Sequence, residues 1–348
     1  MLRSDGHGKI APALLTAVLL AACSEPQQQA VAPAPEGTAA TDGEAPAMEP
    51  WRHGIVEAKG DAAVHFMPAA GGFLERRGID IEMVEFQAGT TAARALLAGE
   101  VDSIEGNPVL ALAAMHQGAP IKLIGCHWPV MTYSLFATPD IESIADLRGK
   151  AVGVSAPGSL PDLFAREALA SGGIAGDEVT YANAGGSANR FQAVAAGIVS
   201  ASASSSEFEI EAIPRGIKVL MRGAEATPNF LKICTMTTTD KIETRRDAMV
   251  RYLAGSMEGY QYALDNRDEA IRVAKEWAHL GEDDQTAAFV FDEAIRYNAV
   301  TPNMEIPMDK FQWTDDMMAR HGAVPESMDV TAFVDDSVRQ EALELLGQ

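Results

Sequence analysis

The segment Ala-Leu-Leu-Ala-Gly-Glu-Val at residues 95–101 recurs as Ala-Val-Ala-Ala-Gly-Ile-Val at 193–199, an offset of 193 − 95 = 98 residues. The same offset sets Gly89-Thr90 against Ser187-Ala188, Glu57–Asp61 against Ser155–Ser159, and Gly78–Ile81 against Gly176–Val179. Within the first copy, Ile79–Phe86 alternates apolar and acidic residues as a strand does, and Gly89 allows a sharp turn. Thr90 and Thr91 then open a helix that Gly99 closes. The unpaired backbone N–H groups of such a helix start face out over the carboxyl end of the preceding strand, where open α/β sheets bind ligands. A repeat of this unit predicts two α/β lobes of the same plan, each contributing ligand-facing turns.

The first 50 residues stand apart from this pattern. Arg3 and Lys9 precede an apolar run from Ala11 to Ala22, too short to cross a bilayer and ending Leu-Ala-Ala-Cys, which reads as a secretory signal. That ending resembles the lipobox of bacterial lipoproteins, which implies cleavage before Cys23 and lipid on its sulfur. Residues 24–50 are Gln, Ala, Pro, Glu, Gly and Thr with almost no large apolar side chain, the composition of a disordered tether. The net charge of −22 excludes nucleic acid and anionic lipid surfaces as partners.

Three further segments carry a resemblance in order along the chain. Gly-Phe-Leu-Glu-Arg-Arg-Gly-Ile-Asp-Ile-Glu at 72–82, Ile-Ala-Asp-Leu-Arg-Gly-Lys-Ala-Val-Gly-Val at 144–154 and Phe191–Val199 are similar to the substrate-binding proteins of bacterial ABC importers in the nitrate, sulfonate, taurine and thiamine-pyrimidine group. Ser200 departs from the pattern, which has Asp there. The resemblance implies an α/β fold of the two-lobe periplasmic-binding-protein type II, each lobe a mixed sheet flanked by helices, with the ligand cleft between lobes. It further implies a discontinuous first lobe, residues 51–130 and 236–348, and a second lobe of residues 131–235, following a signal peptide at 1–22 and a tether at 23–50. Helical spacing of apolar residues over Asp247–Leu264, Asp268–Trp277, Thr286–Asn298 and Asp309–Arg320 predicts helices that pack on the first lobe. Ser159-Leu160-Pro161-Asp162 reads as a capped helix start. Cys126 and Cys234 flank the outgoing and returning crossings, and the sequence sets no distance between them.

Placing ligand contacts at the strand ends and the turns after them selects Lys59, Asp61, His65, Gly89, Thr90, Thr91, Glu105 and Asn107 in lobe one. In lobe two the rule selects Ser155, Gly158, Ser159, Gly186, Ser187, Arg190, Ser206 and Glu207, with Trp128 near the crossing. No Walker loop, Cys-x-x-Cys, His-Glu-x-x-His or Gly-x-Ser-x-Gly is present. Ser204–Ser206 has no histidine placed with it, and His65, His116 and His127 are too scattered to form a metal-ligand pattern. No catalytic residue, cofactor or metal is therefore expected.

The implied role is capture of a small molecule and its delivery to an ABC permease and ATPase from the periplasmic or cell-surface side, with the lipid anchor holding the protein to the membrane. For the ligand, Asp61, Glu105 and Glu207 in one pocket disfavour an anion and favour an amino-heterocycle of the thiamine-pyrimidine type, with Trp128 or Phe191 stacking on its ring. A sulfonate, nitrate or other small anion held by helix starts and Arg190 is the alternative. A ligand-sensing lobe and an enzyme like the thiamine-pyrimidine synthase, with Lys59 as its amine, are the further alternatives.

Overall fold

A computed structural model describes residues 48–56, 59–86 and 89–348. The expected signal peptide, Cys23 and most of the expected tether lie outside the described residues. Among those residues there are ten strands: β1 (Glu49–Val56), β2 (Ile79–Phe86), β3 (Ser103–Gly106), β4 (Ile121–Trp128), β5 (Tyr133–Ala137), β6 (Ala151–Val154), β7 (Thr180–Asn183), β8 (Ala201–Ser205), β9 (Lys218–Arg222) and β10 (Ile233–Thr238). They form two mixed five-stranded sheets, in the orders β2-β1-β3-β10-β4 and β7-β6-β8-β5-β9. In the first, β1 runs parallel to β2 and β3, while β10 is antiparallel to β3 and β4. In the second, β6 runs parallel to β7 and β8, while β5 is antiparallel to β8 and β9.

The two sheets have one topology, and the repeat in the sequence maps onto it. Helix Gly89–Leu97 and helix Ser187–Ala195 start and end 98 residues apart. The first connects β2 to β3 and the second β7 to β8, and each buries small residues that let it lie close on the strands: Ala92, Ala93 and Ala95 in one, Ala193 beside Phe191 and Val194 in the other. The antiparallel strand of each sheet comes from a crossing of the chain, β5 just after the outgoing one and β10 just after the return. Cys126 on β4 and Cys234 on β10, 108 positions apart in sequence, are joined by a disulfide, so one covalent link ties the two crossings together in the first sheet.

Several expected boundaries move. β1 begins at Glu49, inside the expected tether, because Trp51, His53 and Ile55 point inward from its start. The expected lobe boundary at residue 235 falls within β10, which pairs along its whole length with the first sheet. Between Asp61 and Gly78 the chain forms three short helices, Ala62–His65, Met67–Ala70 and Phe73–Arg76. Pro68 removes a helical N–H donor and Gly72 adopts a left-handed φ of 69°, which ends the run before Phe73. The Ser159 hydroxyl does not cap its helix; Asp162 reaches back instead and accepts from the Gly158 N–H at 2.8 Å.

Helices Arg246–Asp265, Arg267–Trp277 and Thr286–Arg296 pack their apolar faces on the first lobe, burying Met249, Leu253, Met257, Val273 and Phe291 with Trp51 and Trp128. Helix Met308–Arg320 contributes Phe311, Met317 and Met318 to a core that also holds Leu123 of the first sheet, Leu135 of the second and Phe164 of helix Leu160–Ser171. Among the described residues no helix is long and apolar enough to cross a membrane.

Candidate functional site

The strand ends and turns of both sheets line a cleft of about 440 Å³. Four helix N-termini open onto it, those of Gly89–Leu97, Pro108–Met115, Leu160–Ser171 and Ser187–Ala195, with Thr90, Asn107, Ser159 and Ser187 among the lining residues. Each helix start carries a partial positive charge, but at Pro108–Met115 the proline has no N–H and Asn107 takes those of Val109 and Leu110, so the other three starts supply the donors that make the cleft a place for negative charge or hydrogen-bond acceptors.

Of the residues expected to face the ligand, Lys59, Asp61, His65, Gly89, Thr90, Glu105 and Asn107 line the cleft from the first lobe. Ser155, Ser159, Gly186, Ser187 and Arg190 line it from the second. Thr91, Trp128, Gly158, Ser206 and Glu207 do not. Trp128 stands behind the wall, stacked on His65 at 5.7 Å with the Lys232 ammonium 4.5 Å from its ring centre. Phe191 packs between Phe136 and Phe208 in the second lobe's core, away from any ligand. The Ser206 hydroxyl lies 2.5 Å from Glu293 Oε2 and 3.1 Å from the Thr132 carbonyl oxygen, the two acceptors available to its one proton, and Ser204 donates to the Ser187 carbonyl, so both hydroxyls serve structure.

Among the lining residues that the sequence reading passed over are two that carry titratable groups, Lys232 and Tyr133, one at each crossing. Both come from connections between lobes, which a rule built on strand-turn-helix units does not reach. Lys232 Nζ lies 3.1 Å from Asp61 Oδ2. Asn107 holds the Lys232 segment in place by donating to the Leu231 carbonyl at 2.5 Å and the Lys232 carbonyl at 3.1 Å, while its own carbonyl oxygen caps the helix after it.

Charge in the cleft is organised in two layers. Beneath the first-lobe wall, His65 Nδ1 is 3.2 Å from Glu105 Oε1 and its Nε2 is 3.6 Å from Asp61 Oδ2. Burial alone would discharge all three, but Glu105 and Asp61 push His65 up to about 10, and His65 helps hold both carboxyls well below their usual range. His127 lies 2.9 Å from His65, and burial drives it down to about 3. Across the cleft, Arg190 is almost wholly buried and braces its own loop, donating from Nη1 to Ser155 Oγ and the Gly185 carbonyl, both at 2.7 Å, and from Nε to the Ala203 carbonyl at 2.6 Å. Tyr133 reports the field there: burial would raise its phenol, yet Lys59, Arg190 and Lys232 bring it below the ordinary value. The carboxylates that line the cleft are thus already matched, Asp61 by Lys232 and Glu105 by His65.

Two α/β lobes of one topology with a polar cleft between their strand ends make this a protein of the periplasmic-binding-protein fold. The chain belongs to the NMT1/THI5-like family, whose model matches residues 61–270. The alkanesulfonate-binding protein SsuA from Xanthomonas axonopodis pv. citri, solved with bound MOPS, is 19% identical with a TM-score of 0.68, the match covering 82% of this chain and 98% of that one. The periplasmic nitrate-binding protein NrtA from Synechocystis PCC 6803 is 17% identical with a TM-score of 0.69, covering 87% and 90% of the two chains. The desulfurization enzyme DSZB is 15% identical with a TM-score of 0.65, covering 86% and 99%. No curated protein matches the sequence.

Proposed function

We propose that this chain is the solute-binding component of an ABC importer, and that its solute is a small organic anion such as a sulfonate or carboxylate. The observation that carries the choice is the convergence of helix N-termini on one cleft that Lys59 and Arg190 also line. The carboxylates that favoured an amino-heterocycle have other duties: Asp61 and Glu105 are matched by Lys232 and His65, and Glu207 is not in the lining. Family membership and the likeness to sulfonate- and nitrate-binding proteins support capture without chemistry. The engaged hydroxyls of Ser204 and Ser206 also speak against a nucleophile.

The test is a thermal-shift panel on the full chain with alkanesulfonates, taurine, nitrate, small carboxylates and aminopyrimidines. A true solute at a hundred times its dissociation constant adds about 2.7 kcal/mol of stability. Stabilisation by aminopyrimidines and by none of the anions would overturn the choice of solute. The basic start, short apolar run and Cys23 support anchoring by lipid on the periplasmic or outer face. Cys23→Ser is expected to release the protein from membranes, and retention of that variant through salt and carbonate washing would exclude the anchor.

A further inference from the structure

Three donor atoms from distant parts of the chain converge beneath the cleft. His65 Nδ1, His127 Nε2 and a carboxylate oxygen of Glu105 all lie within 4.8 Å of one another, on three buried side chains. The separations are 2.9 Å between the imidazole nitrogens, 3.2 Å from His65 Nδ1 to Glu105 Oε1 and 3.6 Å from His127 Nε2 to Glu105 Oε2. Ligands at about 2.0–2.1 Å around a tetrahedral zinc ion stand about 3.3 Å apart, so these separations, each histidine meeting a different oxygen of Glu105, have the size of the edges of such a shell. Two imidazoles and a carboxylate suit a zinc-type ion and not magnesium or calcium, which take oxygen donors.

The surroundings add a second, independent sign. His53 is only 2% exposed, and its Nδ1 is held by Ser103 Oγ at 2.7 Å and the Tyr252 hydroxyl at 3.0 Å. Its Nε2 is aimed at Glu105 Oε2 from 3.6 Å and has no hydrogen-bond partner among the described residues. Three imidazoles thus surround one carboxylate, and two of their nitrogens, His53 Nε2 and His127 Nδ1, are left without a hydrogen-bond partner where unpaired polar atoms are costly. On the far side, His65 turns its other nitrogen toward Asp61, the arrangement in which an outer carboxylate orients a ligating histidine.

We propose that His65, Glu105 and His127 bind one zinc-type divalent cation, and that its open coordination position receives an oxygen of the solute. The metal site stands on the geometry of these side chains; the solute contact rests on the anion reading above. The cation takes the place of the proton on His65 Nδ1, which leaves to solvent, and three protein ligands leave a fourth position. His65 and Glu105 line the cleft while His127 does not, so that position faces the solute and the cation adds positive charge beside Glu105.

The full chain, stripped with EDTA and dialysed, is titrated with ZnCl2 by calorimetry. One ion per chain is expected to bind, and His65→Ala and His127→Ala are each expected to weaken binding by more than the roughly 10–100-fold that loss of an outer-shell partner costs. X-ray absorption of the zinc-loaded wild type gives a readout that needs no variant: nitrogen and oxygen at about 2.0–2.1 Å with imidazole scattering is expected. Absence of a saturable single site, undiminished binding by a folded His65→Ala or His127→Ala protein, or a sulfur ligand would each overturn the site. Any anion that stabilises the protein is then measured with zinc and with EDTA. Tighter binding with zinc supports the solute contact, and equal affinity overturns that half alone. If zinc does not bind, the solute panel still decides the anion reading by itself.

Discussion

Lys232→Met isolates the central ion pair of the cleft. Lys232 is 7% exposed, with Nζ 3.1 Å from Asp61 Oδ2. Methionine keeps an unbranched apolar stem of similar reach over the Trp128 ring and removes the charge. Asp61 would then depend on His65, 3.6 Å away and already serving Glu105. Burial opposes ionisation of Asp61, and Lys232 is the foremost of the groups that outweigh it. Removing one partner of a buried pair costs about 3–5 kcal/mol. Because Asp61 keeps His65 and its side chain is 15% exposed, the lower end is expected, about 3 kcal/mol. Lys232→Met with Asp61→Asn strands no charge, so the double variant should be more stable than the sum of the two single changes predicts, by about 1–2 kcal/mol. Urea unfolding at neutral pH measures all four proteins, with equal slopes required for the comparison. A single-variant cost under about 1 kcal/mol, or strict additivity in the cycle, would refute the claim that this pair neutralises Asp61.

Reducing the Cys126–Cys234 disulfide frees a loop spanning 108 residues, which in the chain-entropy model costs about 4.8 kcal/mol. Refolding with reductant should lower the urea midpoint accordingly, and an unchanged midpoint with both thiols titratable would exclude it. Burial raises the Glu207 carboxyl to about 7, so its contribution to stability is full below about pH 4.5 and is lost as pH rises toward 7. Between those limits wild type should lose up to about 1.4 kcal/mol per pH unit relative to Glu207→Gln, and parallel stability curves from urea melts would contradict the shift. A Cβ on Gly259 would sit 2.5 Å from the Pro68 Cα, so Gly259→Ala should lower the melting temperature even though alanine favours helix by about 1 kcal/mol; a stabilised variant would show that the contact can relax.

The sequence by itself determined the elements that depend on local pattern. Alternation in Ile79–Phe86, the Gly turns and the 98-residue repeat specified the strand-turn-helix unit twice, and helix Gly89–Leu97 and helix Ser187–Ala195 keep that offset at both ends. Since the ligand face of such a unit is fixed by its own backbone, Thr90, Ser155, Gly186 and Ser187 were legible as cleft residues without knowledge of the other lobe. Tertiary structure decided everything that depends on pairing between distant segments. His65 and His127 are 62 residues apart and meet only because β4 lies beside the return strand and the short helix after β1 folds over it. Lys232 reaches Asp61 across 171 residues, and that one contact reverses the reading of the cleft's charge. A single sequence shows which residues carry charge, but the field at a ligand depends on which charges have already found each other, and that is settled only when the chain has crossed between lobes and come back.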